Sequence, residues 1–288
     1  MSPRLQAEWG ARVSLDFFFG GAGAGLLGSY LLIAARNGYR GLSVAVIATG
    51  VVLVLLGLLL LASELGRPAK ALRSMANPGT SWMARGAVFN LALIAAALLL
   101  ITALLAGLRM LVPAVAMLTV LCSALVAAYP GFLLFGAKDI RLWHSRLLPG
   151  LMFLYSLMSG LSLLTLADSA LHLGMQATLR PAALIVMLPV TILFVAFWGR
   201  SSAAMGCGCW EGLRRLAGRQ LLAPFVVSTI VVGILLPLVC YVYAAFSGVA
   251  ELPMLLGAVS FLAGAVCLRY FVVKAASHEP VTFLAKRS

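Results

Sequence analysis

The sequence predicts an all-α integral membrane protein, folded as a bundle of eight transmembrane helices. Of its 288 residues, 63% are hydrophobic and only 10% are charged. Soluble domains are nearly half apolar and about a quarter charged, so the departure in both directions indicates an integral membrane protein. The mean hydropathy of +1.08 agrees with this class. The apolar residues form eight stretches, each of roughly the 20 residues that a helix needs to cross a bilayer.

The first four predicted helices alternate with short polar connections. Helix 1 is aromatic and glycine-rich ("DFFFGGAGAG") and opens near Asp16, and helix 2 is a run of mostly Leu, Val and Ala that closes at Glu64. Helix 3 opens at Arg85, and helix 4 ends within "AAYPGFLLFG". The predicted ranges are about 14–35, 43–63, 86–107 and 111–135.

The last four predicted helices follow the same pattern. Helix 5 comes after the loop "KDIRLWHSRLLPG" and contains "SGLSLL", and helix 8 contains "LAGAVC". Small residues let membrane helices approach closely, which favours one packed bundle. No internal repeat or linker divides the chain, so we expect a single domain over residues 1–288. The predicted ranges are about 148–171, 181–199, 223–246 and 253–274.

The composition also argues against several classes of function. The net charge is +13, from 21 basic and 8 acidic residues. The basic residues lie in short loops between apolar stretches, which is typical of topology signals, so we expect contact with membrane lipid and no nucleic acid. The five cysteines form no disulfide framework, and the N-terminus does not resemble a signal peptide. No polar segment is long enough to fold a soluble catalytic domain, so we expect the chain to be non-catalytic alone.

The basic residues predict the orientation. With helices alternating in direction, seventeen Lys and Arg residues fall on the side of the N-terminus and four on the other. Cytoplasmic loops carry the excess of Lys and Arg. Both termini are therefore predicted to be cytoplasmic, in the inner (cytoplasmic) membrane of a bacterium or archaeon. The four residues on the opposite side are Arg36, Arg40, Arg109 and Arg180.

Several polar residues are predicted to meet at the cytoplasmic face. Alternating helix direction sends Asp16, Glu64, Arg85 and Tyr129 there, with Trp82, Trp143 and His144 in the adjoining polar segments. Each also has a structural explanation, as a helix cap, an interface anchor or a member of an aromatic belt. Ionisable groups within the membrane are nevertheless default functional candidates, because they are costly to place there.

The combination of a carboxylate, a phenol and a guanidinium suits quinone chemistry. Oxidising a quinol removes two electrons and two protons. A carboxylate near the water boundary can accept a proton, and a tyrosine or histidine can hydrogen-bond the ring oxygen. The electrons need an acceptor on another subunit, because the chain offers none of its own.

Intrinsic metal cofactors are not expected. Bis-histidine haem needs two histidines at matching depth, and His144, His172 and His278 do not provide them. The single C-x-C in "GCGCW" (206–210) is a weak signal for zinc or an iron–sulfur cluster. We therefore predict no haem, cluster or metal site in this chain.

Asp168 and His172 lie at the opposite end of helix 5. They allow two interpretations, the outer mouth of a proton path or an ordinary helix end in water.

A family resemblance adds to these inferences. "ELGRPAKALRSMANPGTSWMARG" (64–86) resembles the L-G-[RS]-P-x-[RK]-A signature of the NrfD-like membrane subunits, which include the polysulfide reductase and DMSO reductase anchors. "YPGFLL", "LWHSRLLPGLMFLYSLMSG" and "DFFFGGAGAG" are also similar to that family. The resemblance covers the whole chain, and the eight-helix count agrees.

The resemblance implies a quinone-binding anchor in a molybdopterin complex. Family members bind menaquinone or ubiquinone beside a four-cluster ferredoxin-like subunit, which exchanges electrons with a molybdenum or tungsten catalytic subunit. Glu64 occupies the position of an acid or histidine at the quinone, and Tyr129 matches a headgroup-contacting tyrosine. Asp16 matches a polar residue of helix 1. A glutamate near the start of helix 3 in the DMSO reductase anchor is replaced here by Gly86.

The sequence thus predicts two sets of functional residues. The first set binds quinone and comprises Glu64, Tyr129, Asp16, Arg85, His144 and Trp82. The second docks the iron–sulfur subunit and comprises Arg67, Lys70, Arg73 and Trp143.

The count of basic residues places the quinone face in the cytoplasm, although the best-known members of the family have it outside. Some relatives face the cytoplasm, and we expect a cytoplasmic catalytic partner that delivers electrons to the quinone pool. A basic rim that recruits an acidic iron–sulfur subunit would enrich the same loops. The rival hypothesis is a secondary transporter or ion-translocating subunit using Asp16, Glu64 and Asp168, and a third is a purely structural anchor with quinone bound elsewhere.

Overall fold

The computed structural model describes residues 10–64, 82–137, 142–203, 222–247 and 251–274, and over these ranges the chain is helical with no strand. Eight helices in this part of the chain are long and apolar enough to cross a membrane, which confirms the predicted fold class. The helices are α1 (Ala11–Ala35), α2 (Val44–Glu64), α3 (Trp82–Leu105), α4 (Val112–Gly136), α5 (Leu148–Leu171), α6 (Gln176–Ala203), α7 (Leu222–Phe225, Val226–Leu235 and Leu236–Phe246) and α8 (Glu251–Lys274).

Two helices extend further than the apolar stretches suggest. α3 starts at Trp82, four residues before the predicted range, and α6 spans Gln176–Ala203 where 181–199 was predicted. Aromatic and basic residues are favourable at the membrane interface. A helix can therefore continue past the hydrocarbon core through residues such as Trp82 and Arg85 without any apolar signal.

α1 is the central helix of the bundle. It packs against α2, α4, α5 and α8, and it is more buried than any other described span. Its contact with α5 is backbone to backbone. A Cβ added at Gly25 would collide with the Ser156 carbonyl, and one added at Gly160 would collide with the backbone of Gly25. Glycine at both positions is what lets these two helices touch.

α7 contains a wide helical turn. Residues Val226–Leu235 are π-helical, and the amide of Leu236 reaches back five residues to the carbonyl of Val231. The wide stretch precedes Pro237, which has no amide hydrogen to donate. Within it, Gly233 packs on Gly264 of α8, where an added Cβ would lie 2.8 Å from the Gly264 Cα.

The ends of the helices gather at two faces of the bundle. The indole of Trp143, just before α5, donates a 2.9 Å hydrogen bond to the carbonyl of Val272, near the end of α8. This bond fixes the start of α5 beside the end of α8. Because the helices are antiparallel along the chain, the same face holds the starts of α1 and α3 and the ends of α2 and α4.

Candidate functional site

Asp16 and Tyr129 form the centre of the candidate site. Asp16 lies in the second turn of α1 and Tyr129 lies seven residues before the end of α4, and both are 2% exposed. The Tyr129 hydroxyl donates to Asp16 Oδ2 over 3.4 Å. Among the described residues, no basic side chain forms an ion pair with Asp16. The two groups predicted from sequence to share one depth are therefore in direct contact.

α3 supplies two residues that hold Tyr129 in place. A Cβ added at Gly86 would lie 2.5 Å from two carbons of the Tyr129 ring, so the ring packs directly against the α3 backbone. Asn90, one turn later, is 2% exposed, and its Nδ2 donates to the carbonyl of Gly86 over 2.8 Å. Gly86, which differs from the glutamate of similar proteins, thus makes room for the tyrosine.

The Asn90 carbonyl oxygen is an unused acceptor. Asn90 Oδ1 is buried and has no hydrogen-bond partner within the described part of the chain. It points towards α1, because a Cβ added at Gly20 would lie 3.8 Å from it. Buried acceptors without a partner are uncommon and costly, so this oxygen marks a place where a donor is expected to bind. Sequence reasoning missed Asn90, although it is the one polar side chain in the apolar run "AVFNLAL".

α2 closes the site on its other side. A Cβ added at Gly57 would lie 3.2 Å from Asp16 Oδ1 and 2.8 Å from the amide nitrogen of Gly20. Glu64 is seven residues further along α2, about 10 Å at 1.5 Å per residue. The backbone of Glu64 thus ends α2 nearer the face of the bundle than Asp16. The Glu64 side chain lies outside the described part of the structure.

An aromatic pair lies between the Tyr129 site and the bilayer. The rings of Trp82 and Phe132 stack at 5.2 Å with an interplanar angle of 10°. The guanidinium carbon of Arg85 lies 4.8 Å from the centre of the Trp82 ring, within cation–π range. Phe132 is three residues after Tyr129 on α4 and is 40% exposed. Through this stack, Trp82 packs on the surface of α4 about one turn from Tyr129, and Arg85 packs on Trp82.

His144 and Trp143 occupy different environments. His144 is exposed, stacks on Phe135 at 4.7 Å and lies with Nδ1 3.2 Å from the carbonyl of Phe135. Trp143 is 2% exposed and bonds to Val272 inside the bundle. The Trp143 ring is thus part of the core, and it presents no surface to another subunit in this structure.

The remaining predicted residues lie outside the described ranges. These are Arg67, Lys70 and Arg73, within residues 65–81, and the "GCGCW" segment at 206–210. Over the residues that are described, no three potential metal ligands cluster together.

Arg269 is a buried ionisable residue, one of the seventeen basic residues on the side of the N-terminus, and it was not among the predicted site residues. It lies in α8 and is 1% exposed. Its guanidinium donates to Ser156 Oγ over 3.3 Å and to the carbonyl of Ala265 over 3.2 Å, and it lies 5.6 Å from the Phe18 ring. The neighbouring Tyr155 hydroxyl is buried and has no hydrogen-bond partner among described groups. A lone arginine within "LAGAVCLRYFVV" was the available signal.

Asp168 stabilises a turn at the opposite face. It is 3% exposed, and its Oδ1 accepts a 2.8 Å hydrogen bond from the amide of Met175. His172 caps α5 in the left-handed conformation, with φ 49°. The Asp168 bond and the His172 conformation thus shape the turn that follows α5.

Comparison with known proteins identifies the family. The model of the family described as "Polysulphide reductase, NrfD" matches residues 2–279, nearly the whole chain. A comparison with curated proteins gives no match. NrfD proteins are membrane subunits of molybdoenzyme complexes; they associate with iron–sulfur and molybdopterin subunits and interact with quinone. With eight membrane-spanning helices and a match over almost its full length, the chain belongs to the NrfD family.

Proposed function

We propose that this protein is the quinone-binding membrane anchor of a molybdopterin and iron–sulfur oxidoreductase. In this role it exchanges electrons between a ferredoxin-like subunit and the membrane quinone pool, and it has no catalytic activity of its own. The observation that carries the proposal is the buried cluster of Asp16, Tyr129 and Asn90. It combines a proton acceptor, a phenol and an unused carbonyl oxygen at one depth.

The polar groups of the cluster suit the proton transfers and hydrogen bonds that accompany reduction and oxidation of a quinone. The quinone supplies a ring that is reduced or oxidised by two electrons and two protons. Asp16 can hold or release a proton, because its carboxylate forms no ion pair with a described residue. Tyr129 can donate to a ring oxygen once that oxygen replaces Asp16 as its acceptor, and Asn90 Oδ1 can accept from a ring hydroxyl. Three polar groups in an otherwise apolar setting are typical of sites for lipophilic ligands.

The lipid-facing side of the cluster gives a route for the ring. Phe132 is 40% exposed and stacks on Trp82, which lies under Arg85. Flat aromatic surfaces favour an aromatic ligand, since stacked pairs add roughly 0.5–1.5 kcal/mol beyond area burial. We propose that the ring enters between α3 and α4 along this pair and then reaches Tyr129.

Three further proposals concern the face of the bundle at which α2 ends: the proton path, the docking of the iron–sulfur subunit and the orientation in the membrane. We propose that Glu64 exchanges protons between Asp16 and water, since α2 carries it about 10 Å beyond Gly57. Arg67, Lys70 and Arg73 are proposed to dock the iron–sulfur subunit. Trp143 is left out of that set because its ring is buried. We propose that this face is cytoplasmic, on the strength of the excess of Lys and Arg.

Quinone binding to the purified full-length chain tests the proposal. A menaquinone analogue is titrated while tryptophan fluorescence is followed. Asp16→Asn and Tyr129→Phe should weaken binding by tenfold or more, since a hydrogen bond to a charged group contributes about 1.5–3 kcal/mol. Asp168→Asn and Tyr155→Phe are matched controls, as they remove the same groups from buried positions elsewhere. Equal effects in both pairs would show that quinone binds at another place.

Copurification separates an anchor from the rival class. The anchor should be isolated with subunits that carry iron–sulfur clusters and molybdenum when expressed with its neighbouring genes. A transporter or ion-translocating subunit should be isolated without them. Metal analysis of the affinity-purified material distinguishes the two.

A further inference from the structure

A second polar site lies at the opposite face of the bundle. A cavity of about 750 Å³ opens between the connection from α1 to α2 and the connection from α3 to α4. Its rim includes Arg40 and Arg109, and its floor includes Leu42, Ala103 and Val112. This volume lies within the range of about 300–1,000 Å³ that is usual for ligand sites. The cavity is far from Asp16 and Tyr129, which lie near the other ends of α1 and α4.

The charged residues that line this cavity are both arginines. The segments 36–43 and 106–111 contain no Asp or Glu. Arg40 and Arg109 are both exposed, and neither forms an ion pair or a side-chain hydrogen bond with any described residue. They are two of only four basic residues predicted for this face. Two unpaired guanidinium groups on one cavity are suited to an anion, and the planar guanidinium matches phosphate oxygens.

Hydrogen bonds fix the backbone of the two connections that carry the arginines. The Ser43 amide donates a 2.6 Å hydrogen bond to the Tyr30 hydroxyl, and the Tyr39 amide donates to the carbonyl of Ala34 over 2.9 Å. On the other wall, the Leu108 amide donates to Ala103 over 2.9 Å. Tyr39 adopts a left-handed conformation, with φ 61°. The backbone of the rim is therefore fixed before any ligand binds, which lowers the entropic cost of binding.

The surroundings of the cavity indicate a lipid. Leu105, Leu108 and Met110 are 74%, 50% and 97% exposed, directly beside Arg109. Such apolar exposure at the end of two membrane-spanning helices places the rim at the level of lipid headgroups. A free anion would use only the arginines, whereas a phospholipid would also cover the apolar floor and the leucines.

We propose that this cavity binds the headgroup of an anionic phospholipid. Arg40 and Arg109 contact the phosphate, and the acyl chains lie along the apolar surface of α3, where Leu98 and Leu99 are 48% and 52% exposed. The proposal is independent of the quinone site.

Native mass spectrometry of the full-length protein tests the proposal. The purified chain is titrated with phosphatidylglycerol, with phosphatidylethanolamine of the same acyl chains, and with inorganic phosphate. The wild type should retain phosphatidylglycerol about tenfold better than phosphatidylethanolamine, and Arg40→Gln with Arg109→Gln should abolish that preference. Arg36→Gln with Arg180→Gln is the matched control, because it removes the same charge from the same face outside the cavity. Circular dichroism verifies that both double variants are folded.

Three outcomes would overturn the proposal. Equal loss in the two double variants would indicate general attraction to a positive face, without a defined site. Equal retention of the two lipids by the wild type would exclude selection by headgroup charge. Displacement of phosphatidylglycerol by millimolar inorganic phosphate would indicate a site for a free anion.

Discussion

Replacing Gly86 with alanine should dismantle the Asp16–Tyr129 contact without touching either residue. The new Cβ would lie 2.5 Å from two carbons of the Tyr129 ring. Carbon atoms pack at about 3.5–4.0 Å, so the ring must retreat by about 1 Å. The hydroxyl of Tyr129 is already 3.4 Å from Asp16 Oδ2, at the limit of a hydrogen bond, and a shift of this size breaks it.

Gly86→Ala should lower both the free energy of unfolding and the affinity for quinone. Overpacking a filled core costs about 1–3 kcal/mol, which lowers the free energy of unfolding. Loss of the hydrogen bond should weaken quinone binding by tenfold or more, as for Tyr129→Phe. Thermal unfolding in detergent measures the first part, and the fluorescence titration with a menaquinone analogue measures the second.

Gly150→Ala is the matched control. Its Cβ would meet Leu193 Cδ1 at 3.4 Å, an ordinary contact, and Gly150 lies in α5 outside the Asp16, Tyr129 and Asn90 cluster. The control should bind quinone as the wild type does. If Gly86→Ala and Gly150→Ala behave alike, the close packing of Tyr129 on α3 is not what positions the phenol, and the reasoning fails.

The remaining predictions concern other parts of the bundle. Glu64→Gln should leave assembly intact and slow quinone turnover by tenfold or more, and turnover equal to wild type would remove Glu64 from the mechanism. Arg269→Met should leave the melting temperature unchanged or raise it, because an apolar replacement of a buried charge is often stabilising; a large drop would show that the Ser156 contact stabilises the fold. Trp143→Phe should cost about 1 kcal/mol in unfolding free energy by removing the bond to Val272, measured by thermal unfolding, and an unchanged stability would contradict that role.

The eight spans were predictable because bilayer thickness sets a simple requirement. Any run of about 20 apolar residues satisfies it, so the fold class follows from composition and length alone. The limits of α3 and α6 were not predictable in the same way. The helices continue into the interface through residues such as Trp82, where the side chains are amphipathic and give no hydropathy signal.

The pairing of Asp16 with Tyr129 was also accessible from sequence. Both lie a few turns from helix ends that alternate in direction, which brings them to one depth. Asn90 was not found, and Gly86 was noted only for the glutamate that it replaces, because the importance of both residues depends on which face of α3 meets α4. That information is a matter of packing, and the pattern of apolar residues does not carry it when both faces of a helix are apolar.

Trp143 and Arg269 show how burial changes an interpretation. Trp143 stands in a polar connection and was predicted to dock a partner, yet its ring is 2% exposed. Arg269 stands in an apolar helix and was counted only among the basic residues on the side of the N-terminus, yet it is 1% exposed and contacts Ser156. In both cases the neighbouring helix decides the environment, and that neighbour is distant in sequence.

The depth of the Asp16–Tyr129 pair decides what can reach it. Asp16 is five residues from the start of α1 and Tyr129 is seven residues from the end of α4, which correspond to about 8 Å and 10 Å of helix. The pair thus lies below the helix ends, inside the apolar part of the bundle. A water-soluble substrate would have to lose its hydration to arrive there. An aromatic ring carried on a lipid tail is already in that medium, which is why the geometry favours quinone over a soluble ligand.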